Sequence, residues 1–211
     1  MAPDAFSAED HTAAAPPHGR RPGSIILTRH GEPALSRKVK LNAREYADWW
    51  ARYEETGLLA GQTAPPGLID QALAAGVILS STRIRSIETA RAVAGELAFE
   101  SHAELIEAPL PPPNWPNWFK LRPRHWGAVS RFWWWFFNHH EGQETRAQAE
   151  IRAEAVANRL VRLAAGGQDV LVLAHGFFNT MIGRHLVRKG WKLVQNQGFR
   201  YWSMRRFEKR R

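Results

Sequence analysis

Two apolar runs of strand length end in the same pair of residues. Ser24-Ile25-Ile26-Leu27-Thr28 leads into Arg29-His30-Gly31-Glu32-Pro33, and Val170-Leu171-Val172-Leu173-Ala174 leads into His175-Gly176. Continuous apolar runs of this length are the habit of strands covered on both faces of a parallel sheet. Ligands of such sheets bind outside the carboxyl ends of the strands. Two strands of this kind deliver two imidazoles to one cleft, with Arg29 beside the first. Arg85 follows the short apolar run Val77–Leu79, and Glu107 stands at the end of the short segment Ala103–Ile106. Taken singly, a His-Gly after a strand reads as a turn with a hydrogen-bonded histidine. The set reads differently. A guanidinium binds two oxygens at once and keeps its charge, a neutral ring nitrogen can attack phosphorus, and a carboxyl group can give and retrieve a proton. Those abilities suit phosphoryl transfer, whose loose transition state spreads negative charge over the equatorial oxygens.

The elements that carry these residues follow from patterning. Asn42-Ala43-Arg44-Glu45 has the form of a capping box, and Tyr46, Trp49, Trp50 and Tyr53 recur at helical spacing until Gly57. Pro65-Pro66-Gly67 precedes a helix over about 68–75 that Gly76 ends. Val77–Ser81 is a brief strand, and Ser80 or Ser81 is expected to cap the next helix. On that helix Ile87, Ala90, Ala94 and Leu97 form the apolar stripe. Arg85 lies about 200° from Ile87 on the wheel. It therefore points away from the core yet stays near the strand end, where free N–H groups favour an anion. Ala103–Ile106 reads as a further short strand.

Pro109–Pro123, with Trp115 and Trp118, holds too many prolines for a helix and reads as a stiff extended excursion of the kind used for lids. Arg124–Phe137 carries Trp126 and the run Phe132-Trp133-Trp134-Trp135-Phe136-Phe137. It is expected to be an amphipathic helix packed on the domain, with weak membrane-surface contact through Trp133–Trp135 as the other use of such a run. Thr145-x-x-Gln148 caps a long helix with Ala149, Ala153, Val156, Leu160 and Leu163 on one face, and a helix over 177–187 follows the second histidine. Phe199–Phe207 reads as an edge strand and Glu208–Arg211 as a solvated basic tail. Alternating strands and helices imply a three-layer α/β/α domain with a mostly parallel central sheet.

The chain has 211 residues, a formal net charge of +9 and no cysteine. Disulfides, thiolate metal sites and a cysteine nucleophile are thereby excluded, and anionic partners are favoured. No apolar run approaches the roughly 20 residues that span a bilayer. Residues 1–22 lack an apolar signal core and read as a disordered tail before a domain over 23–211, which carries a proline/tryptophan-rich insertion at about 108–138. A cytoplasmic location is expected. No motif for specific nucleic-acid recognition is present, and the adjacent His139 and His140 converge poorly on one metal ion.

Leu27-Thr28-Arg29-His30-Gly31-Glu32, Ser81-x-x-x-Arg85-x-x-Glu88-Thr89-Ala90 and the strand ending in His175-Gly176 occur in that order. Together they resemble the histidine phosphatase superfamily, with its phosphoglycerate-mutase-like fold, over about residues 24–206. The resemblance implies a metal-independent phosphatase, without a cofactor, that hydrolyses a small phosphate monoester. His30 would be the nucleophile forming a phosphohistidine. Arg29, Arg85, His175 and Gly176 would bind phosphate, and Glu107 would be proton donor and base. Glu144, in an element related to a mostly structural part of the family pattern, is the competing acid. Glu107-Ala108-Pro109-Leu110-Pro111 departs from the better-known acid motif, which favours hydrolysis over a phosphoglycerate-mutase-type transfer. A catalytically degenerate phosphate- or membrane-binding module is the alternative from another class. Lys120, Arg122, Arg124 and Trp115 are candidates for contacting the rest of the substrate.

Overall fold

The structure, a computed structural model, describes residues 21–209. The expectation for residues 1–22 therefore falls, apart from Arg21 and Pro22, outside the described residues, as does the very end of the basic tail.

Six strands form one sheet: β1 (Ile25–Arg29), β2 (Ala75–Ser81), β3 (Glu100–His102), β4 (Asp169–Ala174), β5 (Trp191–Asn196) and β6 (Met204–Lys209), in the order β3-β2-β4-β1-β6-β5. The first four in that order are parallel, and β6 and β5 run antiparallel to their neighbours. Alternation decides which side chain faces which layer. Ile25, Leu27, Val170 and Val172 pack on α5 (Arg146–Ala165) and α6 (Gly176–Arg188). Ile26, Leu171 and Leu173 pack on α2 (Pro66–Ala74) and α3 (Ile84–Ala94). Every residue of Val170–Ala174 is fully buried, which explains its unbroken apolar character. The domain is the expected three-layer α/β/α sandwich.

A third cluster sits over the carboxyl edge of the parallel strands. There α1 (Ala43–Glu55) meets α4 (Pro123–Phe137), with Tyr46 stacked between Trp49 and Trp126. Asn42 and Glu45 do form the capping box, as do Thr145 and Gln148 at the start of α5. The proline-dense segment has no helix and is fastened by backbone pairing of Leu41 with Leu121. Trp126 donates its indole N–H to the Leu41 carbonyl at 2.6 Å, so this aromatic anchor is satisfied as well as buried.

Several local expectations are corrected. Gly76 lies inside β2 instead of ending α2. The short strand near the acid is Glu100–His102, and Ala103–Leu105 is a 3-10 turn. Arg83, whose side chain makes no capping bond, occupies the cap position of α3, and the Ser81 hydroxyl meets His175 as well as the Arg83 amide. Leu97 lies beyond α3 and is exposed, while Arg85, Ser86 and Thr89 are buried. The face of α3 turned to the molecule is thus partly polar, and Arg85 points into the structure. The final strand is not at the edge: β5 pairs with β6 and takes that place. Its Lys192-Leu193-Val194-Gln195-Asn196 is exposed and mixes polar with apolar residues, so it carried no buried-strand pattern.

The aromatic run is not a uniform surface belt. Trp134 is fully buried and donates to the Glu144 carbonyl at 3.0 Å. Trp135 is covered by the guanidinia of Arg146 and Arg184, and Trp133 packs edge-on against Trp115. The exposed members are Phe132, Phe136 and Phe137. Among the described residues no helix is long and apolar enough to cross a membrane.

Candidate active site

Parallel pairing of β1 with β4 aligns Arg29 with Ala174, so the next residues, His30 and His175, emerge side by side. Their rings meet edge to face with centroids 5.2 Å apart. Arg85 enters the same space from the first turn of α3. It is fully buried, and its Nε lies 3.3 Å from His30 Nε2 while its Nη2 lies 3.3 Å from His175 Nδ1. One guanidinium therefore touches both imidazoles.

The tautomers follow from the partners. His30 Nδ1 lies 2.7 Å from the Gly31 carbonyl, which can only accept, so Nδ1 carries the proton. Nε2 keeps its lone pair, which accepts the Arg85 Nε–H at 3.3 Å in the wall of the cleft. His175 receives from Arg85 at Nδ1 and so donates from Nε2 to the Ser81 hydroxyl at 2.9 Å. Burial, then Arg85 and Arg29, hold His30 well below the ordinary histidine value. Burial, Arg85 and His30 do the same to His175. Both rings are neutral in the free protein at neutral pH, as a nitrogen nucleophile requires.

Arg85 is held from α1. It donates to the carbonyls of Tyr53 (2.8 Å) and Glu54 (3.2 Å) and pairs with the Glu54 carboxylate at 2.8 Å. Arg83 shares that carboxylate at 2.8 Å. Thr89 accepts from the Gly31 amide at 3.0 Å and donates to the Arg85 carbonyl at 2.6 Å, tying the His30 loop to α3. Gly31 itself leaves no room for a side chain: a Cβ there would lie 2.4 Å from the Trp202 ring. Because β6 is antiparallel, the turn before it returns to the same edge and sets Tyr201 under Arg29, with the Arg29 Cζ 4.4 Å from the ring centroid.

Glu107 is brought to this cleft by α6. Its Oε1 accepts the N–H groups of Phe178 (2.7 Å) and Ala108 (3.2 Å), and its Oε2 accepts that of Phe177 (3.2 Å). The first turn of the helix that follows His175 thus positions the carboxylate. Glu144 is placed differently. It grips Arg152 through both oxygens, at 2.7 and 2.6 Å, and Arg152 in turn donates to the carbonyls of Glu104 and Ile106. That arrangement braces the backbone just before Glu107.

A cavity of about 340 Å³ is lined by Arg29, Arg37, Glu107, Arg131, Gly176, Phe177 and Phe199. A narrow recess shares Arg29, Arg37, Glu107 and Arg131 with it and reaches His30, Arg85 and His175. The structure therefore brings together Arg29, His30, Arg85, Glu107, His175 and Gly176. Lys120, Arg122, Arg124 and Trp115 line neither space. Lys120 faces Glu45, Arg124 contacts His125, Arg122 caps α4 on the surface, and Trp115 packs against Phe119 and Trp126. The cations that do face the cavity from the cap, Arg37 and Arg131, were missed, as were Tyr53, Glu54, Tyr201 and Ser81. Of these, Ser81 alone belongs to the motif around Arg85.

The family model described as "Histidine phosphatase superfamily (branch 1)" matches residues 25–210. No curated protein matches the chain. Among solved structures, a phosphoglycerate mutase from Bacillus anthracis is similar at 20% identity and a TM-score of 0.56, with 89% of this chain and 88% of that one covered. A phosphoserine phosphatase from Entamoeba histolytica is similar at 15% identity and a TM-score of 0.52, covering 90% and 98%. A mycobacterial hydrolase is similar at 17% identity and a TM-score of 0.57, covering 88% and 82%. At these identities the likeness is one of fold.

Proposed function

Because the chain belongs to the histidine phosphatase superfamily, branch 1, we propose that it hydrolyses a small phosphate monoester through a phosphohistidine on His30. The observation that carries the reading is the lone pair of His30 Nε2, held beside Arg85 and His175 with Nδ1–H committed to Gly31. In the first step Nε2 forms a bond to phosphorus as the bond to the leaving oxygen breaks. Glu107 supplies the proton that the leaving oxygen takes up. In the second step water attacks phosphorus and passes its proton to Glu107. The N–P bond breaks, its electron pair returns to Nε2, and inorganic phosphate departs.

Arg29 and Arg85 neutralise the three equatorial oxygens. A unit charge pair at 4 Å is worth about 4 kcal/mol at an effective dielectric of 20. The arriving phosphate also favours protonation of His175, turning a neutral ring into a third cation. A carboxylate has about four lone-pair sites, and Oε1 of Glu107 already accepts two N–H groups while Oε2 accepts one. Oε2 is therefore the oxygen that exchanges the proton.

Rapid-quench mixing with radiolabelled phenyl phosphate tests the reading. Expected are acid-labile, base-stable label on the polypeptide, release of inorganic phosphate, and loss of both in His30→Asn. Turnover that persists in His30→Asn, or turnover with no labelled protein, would refute it. Return of the label on a rearranged ester instead of inorganic phosphate would mark a phosphotransferase.

A further inference from the structure

Three guanidinia around the cavity have no acidic partner. Most other arginines of comparable burial are matched: Arg83 and Arg85 with Glu54, Arg152 with Glu144, Arg159 with Glu104, Arg206 with Asp169, whereas Arg146 and Arg205, unpaired among the described residues, lie over the Trp135 and Phe199 rings. Among the described residues no carboxylate oxygen comes within ion-pair distance of Arg29, Arg37 or Arg131. Arg29 donates to the Phe199 carbonyl and Arg37 to the Tyr201 hydroxyl at 2.7 Å. Arg131 lies over the Phe177 ring at 5.4 Å and makes no hydrogen bond among the described residues. The buried Nε of each of the three is also without a hydrogen-bond partner there. Glu107, the acid that lines the same cavity, accepts three N–H groups and, among the described residues, forms no ion pair with any of the three.

One phosphate cannot answer this excess. A phosphoryl group on His30 is met by Arg29 and Arg85, which leaves Arg37 and Arg131 facing the space into which the leaving group extends. A neutral leaving group would leave both cations without a counter-charge in a partly dehydrated wall. The wall holds another unmet group. The Tyr46 hydroxyl is fully buried, has no hydrogen-bond partner among the described residues, and lines the recess with Arg131 and Gly127. A point at the Cβ position of Gly127 would lie 3.5 Å from Arg131 Nη1 and 3.7 Å from the Tyr46 hydroxyl oxygen. A donor hydroxyl and a guanidinium thus flank one small space, left open because residue 127 has no side chain.

We propose that this cavity takes a phosphate monoester whose leaving group carries a second anionic group, a carboxylate or a second phosphate, bound by Arg131 and Arg37 with the Tyr46 hydroxyl. The proposal rests on the phosphatase reading for the word ester, while the double-anion site stands on the cavity alone. Arg37 sits on the Tyr201 side, next to the His30 end. Arg131 sits on the α4 side, against Tyr46 and Phe177.

Calorimetric binding of three non-hydrolysable probes, each with three saturated carbons on the phosphonate, tests it: propylphosphonate, 4-phosphonobutanoate and propane-1,3-diylbisphosphonate, at fixed ionic strength. The full chain should bind at least one of the two doubly anionic probes about tenfold to a hundredfold more tightly than propylphosphonate, the range expected of hydrogen bonds to a charged group. Which of the two it prefers tells carboxylate from phosphate. Arg131→Met should bring that ratio close to one, and Arg131→Lys should restore part of it.

Gly127→Ala keeps every charge and is compatible with the fold, since its methyl meets only ordinary contact distances and alanine suits a helix interior better than glycine. It should lower the ratio by occupying the space between Arg131 and Tyr46. Equal affinity for all three probes, or a preference that survives both Arg131→Met and Gly127→Ala, would overturn the proposal. Phenyl phosphate turnover is measured alongside. A preserved binding ratio without turnover would defeat the phosphatase reading and leave the site, and turnover without a ratio would do the reverse.

Discussion

Acid should weaken this protein through the two imidazoles at its centre. Burial first, then the neighbouring arginines, hold His30 and His175 well below the histidine value of 6.5, so in the folded state both stay neutral as the pH falls. In the unfolded chain both titrate near 6.5. Below that value the unfolded state binds more protons than the folded one, and stability falls with pH. The contribution is fully present above 6.5 and is lost on the acid side. Between pH 7.5 and 5.5 each unfolded imidazole goes from about one-tenth to about nine-tenths protonated, which lowers folding stability by about 1.4 kcal/mol. Two such rings give about 2.7 kcal/mol, a sizeable part of the 5–15 kcal/mol typical of a domain.

Urea unfolding at the two pH values measures it in the wild type, His30→Asn and His175→Gln. Asparagine keeps a donor for the Gly31 carbonyl and glutamine keeps one for Ser81, so packing and hydrogen bonds change little. Each variant should lose about half of the acid sensitivity, and the double variant nearly all of that share. Saturating inorganic phosphate should also reduce the loss, because an anion beside His175 favours its charged form. If the double variant is as acid-sensitive as the wild type, the rings are not neutral in the free protein. The argument for His30 Nε2 as nucleophile would then fail.

Four further outcomes are expected. Glu107→Gln should lower kcat for an alkyl phosphate by about 10²–10⁴-fold, the usual span of general acid–base catalysis, and far less for an aryl phosphate with a good leaving group. Glu144→Gln, which weakens the grip on Arg152, should instead lower kcat for both substrates alike without altering the pH profile; paired kinetics on the two esters separate these roles. Glu54→Gln removes the carboxylate shared by Arg83 and Arg85 and should raise KM for phenyl phosphate by about tenfold, because Arg85 loses one charge-assisted bond that orients it. Gly31→Ala drives a methyl into the Trp202 ring and should cost about 1–3 kcal/mol by thermal or urea unfolding, with a fall in kcat as the His30 loop shifts.

Much of the scaffold could be read before any coordinates. Val170–Ala174 and Ile25–Thr28 are covered on both faces, and their unbroken apolar character is the direct imprint of that environment. Asn42 and Thr145 announced their helices because a capping box is written within four residues. What was misread depends on contacts distant in the chain. The Ser81 hydroxyl looked like a cap, yet it serves His175, 94 residues away. The helical wheel places Arg85 off the apolar stripe at the strand end, where an anion binds, but does not show that it is fully buried; two imidazoles, Glu54 and two carbonyls make that burial tolerable. Arg37 and Arg131 resembled any other surface cation, because the wall they share is assembled from the β1–α1 linker and α4. Lys120, Arg122 and Arg124 attracted notice only by being close together, which says nothing about where a rigid proline segment carries them.

The way α1 and α4 sit over the sheet edge has a consequence for how such an enzyme can change. The groups we assign to phosphorus hang from β1, β4 and α3, deep in the most buried part of the molecule. Those we assign to the remainder of the ester come from the β1–α1 linker and an aromatic roof laid across them. Selectivity and reactivity are thus written on different pieces of the chain, joined at one seam where Glu54 and the Tyr53 carbonyl grip Arg85. A lineage can rebuild the roof around new esters and keep the same chemistry beneath, provided that seam is left whole.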